Sequence, residues 1–143
     1  MAFTAKMYGY ATLKAWNKEV DWDSDTITVG LSTSAYTPDQ DAHDYANDIT
    51  NEVSGGGYSR KTLASKTATY TGSTNKCTFD AADVTWSGAT FTFRTLWIAD
   101  TQTGTDSTSP LLGYQQNDAD ITGGGADLTI QWNSAGIFEY TIS

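Results

Sequence analysis

The segment from residue 79 to residue 98 constrains the fold more than any other part of the chain. It reads as a short strand, a turn and a long strand with large apolar side chains at both alternating positions. Alternation places Phe91, Phe93 and Trp97 on one face of the long strand, and Leu96 and Ile98 on the other. A strand with apolar groups on both faces must be covered on both sides. We therefore expect this strand to form the centre of an antiparallel β-sandwich.

The rest of the chain is typical of one all-β domain. Its 143 residues suffice to bury a core without disulfides, and its many aromatic residues and threonines favour half-buried pleated surfaces. Further short strands are predicted at residues 26–31, 59–64, 66–71, 76–79, 111–114, 128–132 and 138–142. The last two are expected to form a hairpin. The expected fold is an all-β, antiparallel, jelly-roll-like β-sandwich with a short N-terminal helix, in a single domain over residues 1–143.

Two segments depart from the β pattern. In the N-terminal arm and helix (residues 1–20), Tyr10, Leu13 and Trp16 recur every three residues, which predicts a short amphipathic helix covering one sheet face. Residues 32–57 form a long polar loop with a helical turn expected near residues 43–48. Loops of this length in compact domains usually carry function, so we expect an interaction surface here.

Charge and hydropathy argue against nucleic acid and membrane as partners. The formal net charge is −9, and the eight Lys and Arg residues are spread along the chain, with no two adjacent except Arg60 and Lys61. Nucleic-acid binders instead carry basic stripes, so no nucleic-acid partner is expected. No apolar run approaches the ~20 residues of a membrane-spanning helix, and the N-terminus lacks the features of a signal peptide. We expect synthesis in the cytoplasm and no membrane partner.

The sequence offers little reactive chemistry. Cys77 is the single cysteine and alternates with Phe79, which favours a core position. His43 is the single histidine and lies far from Cys77 in sequence. A nucleophilic cysteine, a zinc site and a Ser-His-Asp triad are therefore all disfavoured. We predict no catalytic residues and no enzymatic activity.

Two acidic series could begin a cation site. Asp21, Asp23 and Asp25 alternate, and Asp39 and Asp41 lead to His43 in a similar way. Neither series has the glycine at the sixth position or the glutamate at the twelfth that an EF-hand loop requires. We interpret them as turn residues and expect no metal and no cofactor.

The aromatic content leaves carbohydrate binding open as an alternative. Trp86, Trp97 and Trp132 fall on predicted inward faces. The aromatic residues expected to be free for a partner are Trp16, Trp22, Tyr36, Tyr45 and Tyr58.

Three stretches together resemble a group of small virion proteins of tailed bacteriophages. The first is residues 21–31 (DWDSDTITVGL) leading into 36–39 (YTPD). The second is residues 48–58 (DITNEVSGGGY), and the third is residues 79–95, echoed by LTIQWNSAGIF at 128–138. Together they cover most of the chain from residue 21 to the C-terminus.

The resemblance implies a capsid decoration, or cement, protein without catalytic residues. Such a subunit sits on the outer surface of the virion shell, commonly as a homotrimer, and clamps neighbouring copies of the major capsid protein. A tail, baseplate or fibre protein remains an alternative, as does a carbohydrate-binding module. We expect residues 1–20 and the 32–57 loop to supply the contacts, through exposed aromatic residues. The expected interface residues are Tyr8, Tyr10, Trp16, Tyr36, Tyr45 and Tyr58.

Overall fold

The computed structural model describes residues 3–143 and confirms a mostly β protein with one short α-helix near the N-terminus. In chain order the elements are β1 (Phe3–Met7), α1 (Tyr10–Trp16), β2 (Ile27–Ser32), β3 (Lys61–Thr62), β4 (Thr67–Thr71), β5 (Lys76–Asp80), β6 (Val84–Trp86), β7 (Thr92–Asp100), β8 (Leu111–Thr122), β9 (Leu128–Ile130) and β10 (Phe138–Thr141). Two 3-10 helices occupy Ala46–Asp48 and Asp106–Thr108. The first of them confirms the helical turn expected within the long loop.

The strands form three antiparallel sheets. The largest has the order β1-β8-β7-β2-β3, the second β10-β5-β4, and β6 pairs with β9 in a third. The two smaller sheets and α1 cover one face of the five-stranded sheet, and the long loop covers the other. The result is a sandwich-like domain built around β7.

Both faces of the five-stranded sheet are buried, as expected from β7. The first core lies between this sheet and the smaller sheets, and its largest members include Trp22, Trp86, Phe91 and Phe93. The second core lies under the long loop and contains Tyr8, Ala46, Trp97, Ala99, Leu111 and Tyr114. Trp22 was expected to be free, but it is 7% exposed and packs edge-on against Phe79 and Phe138.

The predicted assignment of the β7 side chains to two faces is wrong beyond Phe93. Trp97 was placed with Phe91 and Phe93, but it belongs to the second core, whereas Leu96 and Ile98 share the first core with Phe93. The pairing of β7 with β8 shifts register between Phe93 and Thr95. Between these positions β7 advances two residues and β8 advances five. This irregularity interrupts the period-two alternation, and the β7 side chains beyond it change faces.

The predicted C-terminal hairpin is also wrong. β9 pairs with β6, and β10 pairs with β5. The backbone N–H of Trp132 donates to Asp83 Oδ1 at 2.9 Å, and its indole N–H donates to the Ala82 carbonyl at 2.9 Å. These bonds hold the chain after β9 against the segment before β6, so residues 131–137 pass from one sheet to another.

One buried carboxylate lies at the end of β7. Asp100 is 2% exposed, and its Oδ2 has no hydrogen-bond partner among the described residues. Burial first, and then the neighbouring carboxylate of Asp25, raise the pKa of Asp100 from 3.8 to about 6. The folded state therefore binds a proton more tightly than the unfolded state does. This contribution to stability is fully present below about pH 4 and is lost as the pH rises through about 6.

Asp100→Asn is therefore expected to raise the free energy of unfolding at pH 7.5, by an amount on the order of 2 kcal/mol. The Asn oxygen still accepts the bond that Asp100 Oδ1 receives from the Gln102 N–H at 3.0 Å. Urea unfolding at pH 4.5 and pH 7.5 measures the effect, which should shrink at the lower pH. Asp23→Asn, at an exposed position of the turn before β2, is the matched control and should change the free energy of unfolding little. A variant less stable than the wild type at pH 7.5 would contradict this account.

Candidate protein interaction surface

Helix α1 turns its large apolar side chains outward. Tyr10, Leu13 and Trp16 are 41%, 54% and 83% exposed, whereas Ala11 and Lys14 face the protein. The expectation that these three residues cover a sheet face is therefore wrong. A small residue, Ala11, is the apolar side chain that the helix turns inward, and it is 3% exposed. Ala15 lies one turn later and is itself exposed. They line a gap of about 70 Å³ beneath the helix.

Lys14 fixes this orientation from the other side of the helix. Its side chain is 8% exposed, and its Nζ lies 3.4 Å from Asp44 and 3.5 Å from Glu19. The same atom lies 3.5 Å from the centroid of the Tyr45 ring, and the Tyr45 hydroxyl donates to Glu19 at 2.9 Å. Burial alone would lower the pKa of Lys14, but Tyr45 and the two carboxylates outweigh it and raise the pKa. Rolling the apolar side inward would break this charged cluster.

We call Tyr10, Leu13 and Trp16 the α1 stripe. They are three of the five large hydrophobic side chains that are exposed among the described residues, the others being Tyr70 and Ile142. Tryptophan is highly buried on average in folded proteins, and it is enriched among the residues that dominate binding energy at interfaces. An exposed Trp16 beside two further apolar groups is therefore a candidate contact surface.

Tyr8 and Tyr36 do not lie at the surface as expected. Each is 1% exposed. Their hydroxyls are 2.8 Å apart, and the Tyr36 hydroxyl lies 3.0 Å from His43 Nδ1. The long loop folds back onto the five-stranded sheet and encloses these rings. Burial raises the pKa of Tyr36 to about 12 and that of Tyr8 further, so both hydroxyls keep their protons at neutral pH.

Tyr45 and Tyr58 are half-buried and serve as internal anchors of the loop. The Tyr58 hydroxyl donates to Glu52 at 2.6 Å and accepts the Leu31 N–H at 3.0 Å. The Tyr58 ring also stacks on Trp86. Of the six expected interface residues, only Tyr10 and Trp16 are therefore well exposed, and both belong to the α1 stripe.

Sequence reasoning missed Arg60, which locks the end of the loop. Its guanidinium makes two hydrogen bonds to Glu52, both of 2.8 Å, and two to Asp106, of 2.7 and 2.9 Å. It also lies 4.9 Å from the Trp97 ring centroid. These carboxylates raise the pKa of Arg60 and keep it charged. No local sequence pattern predicts this cluster, because Asp106 and Trp97 are far from Arg60 in sequence.

The acidic series lie in turns. Asp21 Oδ1 accepts the N–H groups of Asp23 and Ser24, both at 3.2 Å, and Asp39 Oδ1 accepts those of Asp41 and Ala42. Within residues 3–143, no three His, Cys, Asp or Glu side chains are grouped so as to hold a metal ion.

A groove of about 520 Å³ lies between the five-stranded sheet and residues 131–139. Leu96 and Ile98 lie among its apolar residues, and Gln115, Gln131 and Trp132 add polar and aromatic groups. Among the described residues that line it, Lys6 and Glu139 are the charged ones. The groove is thus nearly neutral on a strongly acidic protein.

None of the described helices is long and apolar enough to span a membrane. Comparisons with models of known protein families, with curated proteins and with solved structures found no significant match.

Proposed function

We propose that this chain is a non-enzymatic structural protein of a tailed-phage virion, which binds the outer surface of the major capsid protein shell and stabilises it. The α1 stripe is the observation that carries the proposal, because it groups three exposed apolar side chains on one rigid element of an acidic domain. The resemblance of residues 21–31, 36–39, 48–58 and 79–95, with the echo at 128–138, to phage virion proteins supports the choice of partner.

The energetics of the stripe suit a subunit that binds many equivalent sites. Burying one large apolar side chain contributes about 1.5–3 kcal/mol, so three of them give a contact of modest strength. Lys14 and the 44–45 segment hold the helix before it meets a partner, which reduces the entropy lost on binding. A shell presents many identical sites, and an oligomer that engaged several at once would bind far more tightly than one copy. The homotrimer that the resemblance implies stays a prediction.

Co-sedimentation with expanded phage shells tests the proposal. We expect the purified chain to pellet with the shells and to saturate at a fixed number of copies per capsid protein. Electron microscopy of the complexes should then show added density on the outer surface. Density confined to a tail, baseplate or fibre in virions would favour that alternative instead, and a chain that binds neither structure would refute the proposal.

The groove favours a second candidate function, the binding of a neutral oligosaccharide. Trp132 is held by its two hydrogen bonds, while the Gln115 and Gln131 side chains make no hydrogen bond to another described residue. An aromatic wall with a few polar groups in a cavity of about 300–1,000 Å³ is typical of small-ligand sites. For this alternative, a glycan array should give a signal that Gln131→Ala weakens and Trp16→Ala leaves unchanged. An array without any signal would dismiss it.

A further inference from the structure

Strand β4 presents an open sheet edge without the usual protection. It is the outer strand of the β10-β5-β4 sheet, and all five of its residues are exposed. Its sequence, TATYT, contains no charge and no proline, and its pairing with β5 shows no bulge. Natural proteins usually protect such edges with charges, prolines, bulges or very short strands. The other described edge strand of five residues, β1, carries Lys6.

We propose that β4 pairs antiparallel with β4 of a second copy of this chain, about a two-fold axis at Thr69. This register makes Thr69 meet its own counterpart and makes Thr67 meet Thr71 of the other copy. Ala68 then meets Tyr70 across the axis. Every cross-strand pair is uncharged, so two chains that each carry a net charge of −9 have no repulsive pair within this contact.

The chain already uses the threonine pairs that this contact requires. Thr85 and Thr129 lie opposite each other on β6 and β9, with their hydroxyls 2.8 Å apart. Thr92 and Thr122 do the same on β7 and β8, also at 2.8 Å. Cross-strand pairs of this kind each contribute roughly 0.2–1 kcal/mol relative to alanine pairs. The threonine face of β4 would repeat them between two copies.

Tyr70 adds apolar area to the same contact. It is 59% exposed, and its hydroxyl donates to Asn75 Oδ1 at 3.1 Å, which fixes the ring beside the edge. In the proposed dimer, Ala68 of the second copy lies opposite this ring and covers part of it. The pairing thus accounts for an exposed aromatic residue outside the α1 stripe, and it joins two three-stranded sheets into one of six strands.

Charge substitutions at Thr69 test both the contact and its register. Because small interfaces are weak, sedimentation velocity should be run at concentrations up to about 500 μM, where we expect a monomer–dimer equilibrium. A charge at Thr69 meets itself across the axis, so Thr69→Lys and Thr69→Asp should each be monomeric. An equimolar mixture of the two should recover the dimer, since opposite charges then face each other. Thr62→Lys, on the exposed edge strand β3, is the matched control and should dimerise like the wild type.

Four results would overturn the pairing: a wild type that stays monomeric, a Thr69→Lys variant that dimerises like the wild type, a mixture that does not associate, or a trimer indifferent to Thr69. The contact does not involve the α1 stripe. A monomeric Thr69→Lys variant should therefore retain shell binding, and failure of one proposal can be distinguished from failure of the other.

Discussion

Gly30→Ala is expected to prevent folding or to lower the free energy of unfolding by about 3 kcal/mol or more, although it adds a single methyl group. Gly30 lies on β2 directly opposite Trp97 of β7. A Cβ at Gly30 would lie 2.0 Å from Trp97 Cζ2, well inside the contact distance of about 3.5 Å. Trp97 is fully buried and lies beneath Arg60, so the indole cannot move aside without disturbing the second core.

Chemical unfolding followed by circular dichroism measures this effect. Gly124→Ala is the matched control, because a Cβ there meets nothing within 4 Å and the backbone does not need a positive φ. That variant should change the free energy of unfolding by less than about 0.5 kcal/mol. In the double variant Gly30→Ala/Trp97→Leu, the two losses should be less than additive. Equal stability of the two glycine variants would contradict the proposed packing.

The period-two alternation of apolar residues predicted most of the strands, because burial on a pleated sheet leaves that pattern in the chain. β7 illustrates both its success and its limit. The pattern correctly identified a strand covered on both sides, but it could not reveal the register shift after Phe93. Such a shift depends on the neighbouring strand, β8, whose polar second half extends to Thr122 and gave no clear strand signal. Strand partners are likewise set by tertiary contacts, which is why the C-terminal hairpin was predicted wrongly.

The helix shows why spacing alone does not decide which side is buried. Tyr10, Leu13 and Trp16 form a regular apolar series, and in a globular protein such a series usually faces the core. Here Ala11 packs inward, and Lys14 is held by Glu19, just after the helix, and by Asp44 and Tyr45 of the long loop. Sequence reasoning therefore identified two residues of the candidate surface, Tyr10 and Trp16, while misjudging the helix orientation that exposes them.

Trp16→Ala is expected to weaken shell binding by about 30-fold or more per copy, the effect of losing an interface hot spot of about 2 kcal/mol. The side chain is 83% exposed in the free protein, so its removal should leave stability within about 0.5 kcal/mol of the wild type. Thr12→Ala lies on an exposed position of the same helix outside the α1 stripe, and it is the matched control.

Co-sedimentation of these two variants with expanded shells tests the central claim most directly. The account predicts that Thr12→Ala saturates the shells like the wild type, while Trp16→Ala stays in the supernatant at the same concentration. If Trp16→Ala saturates the shells at the wild-type concentration, the α1 stripe is not the binding surface.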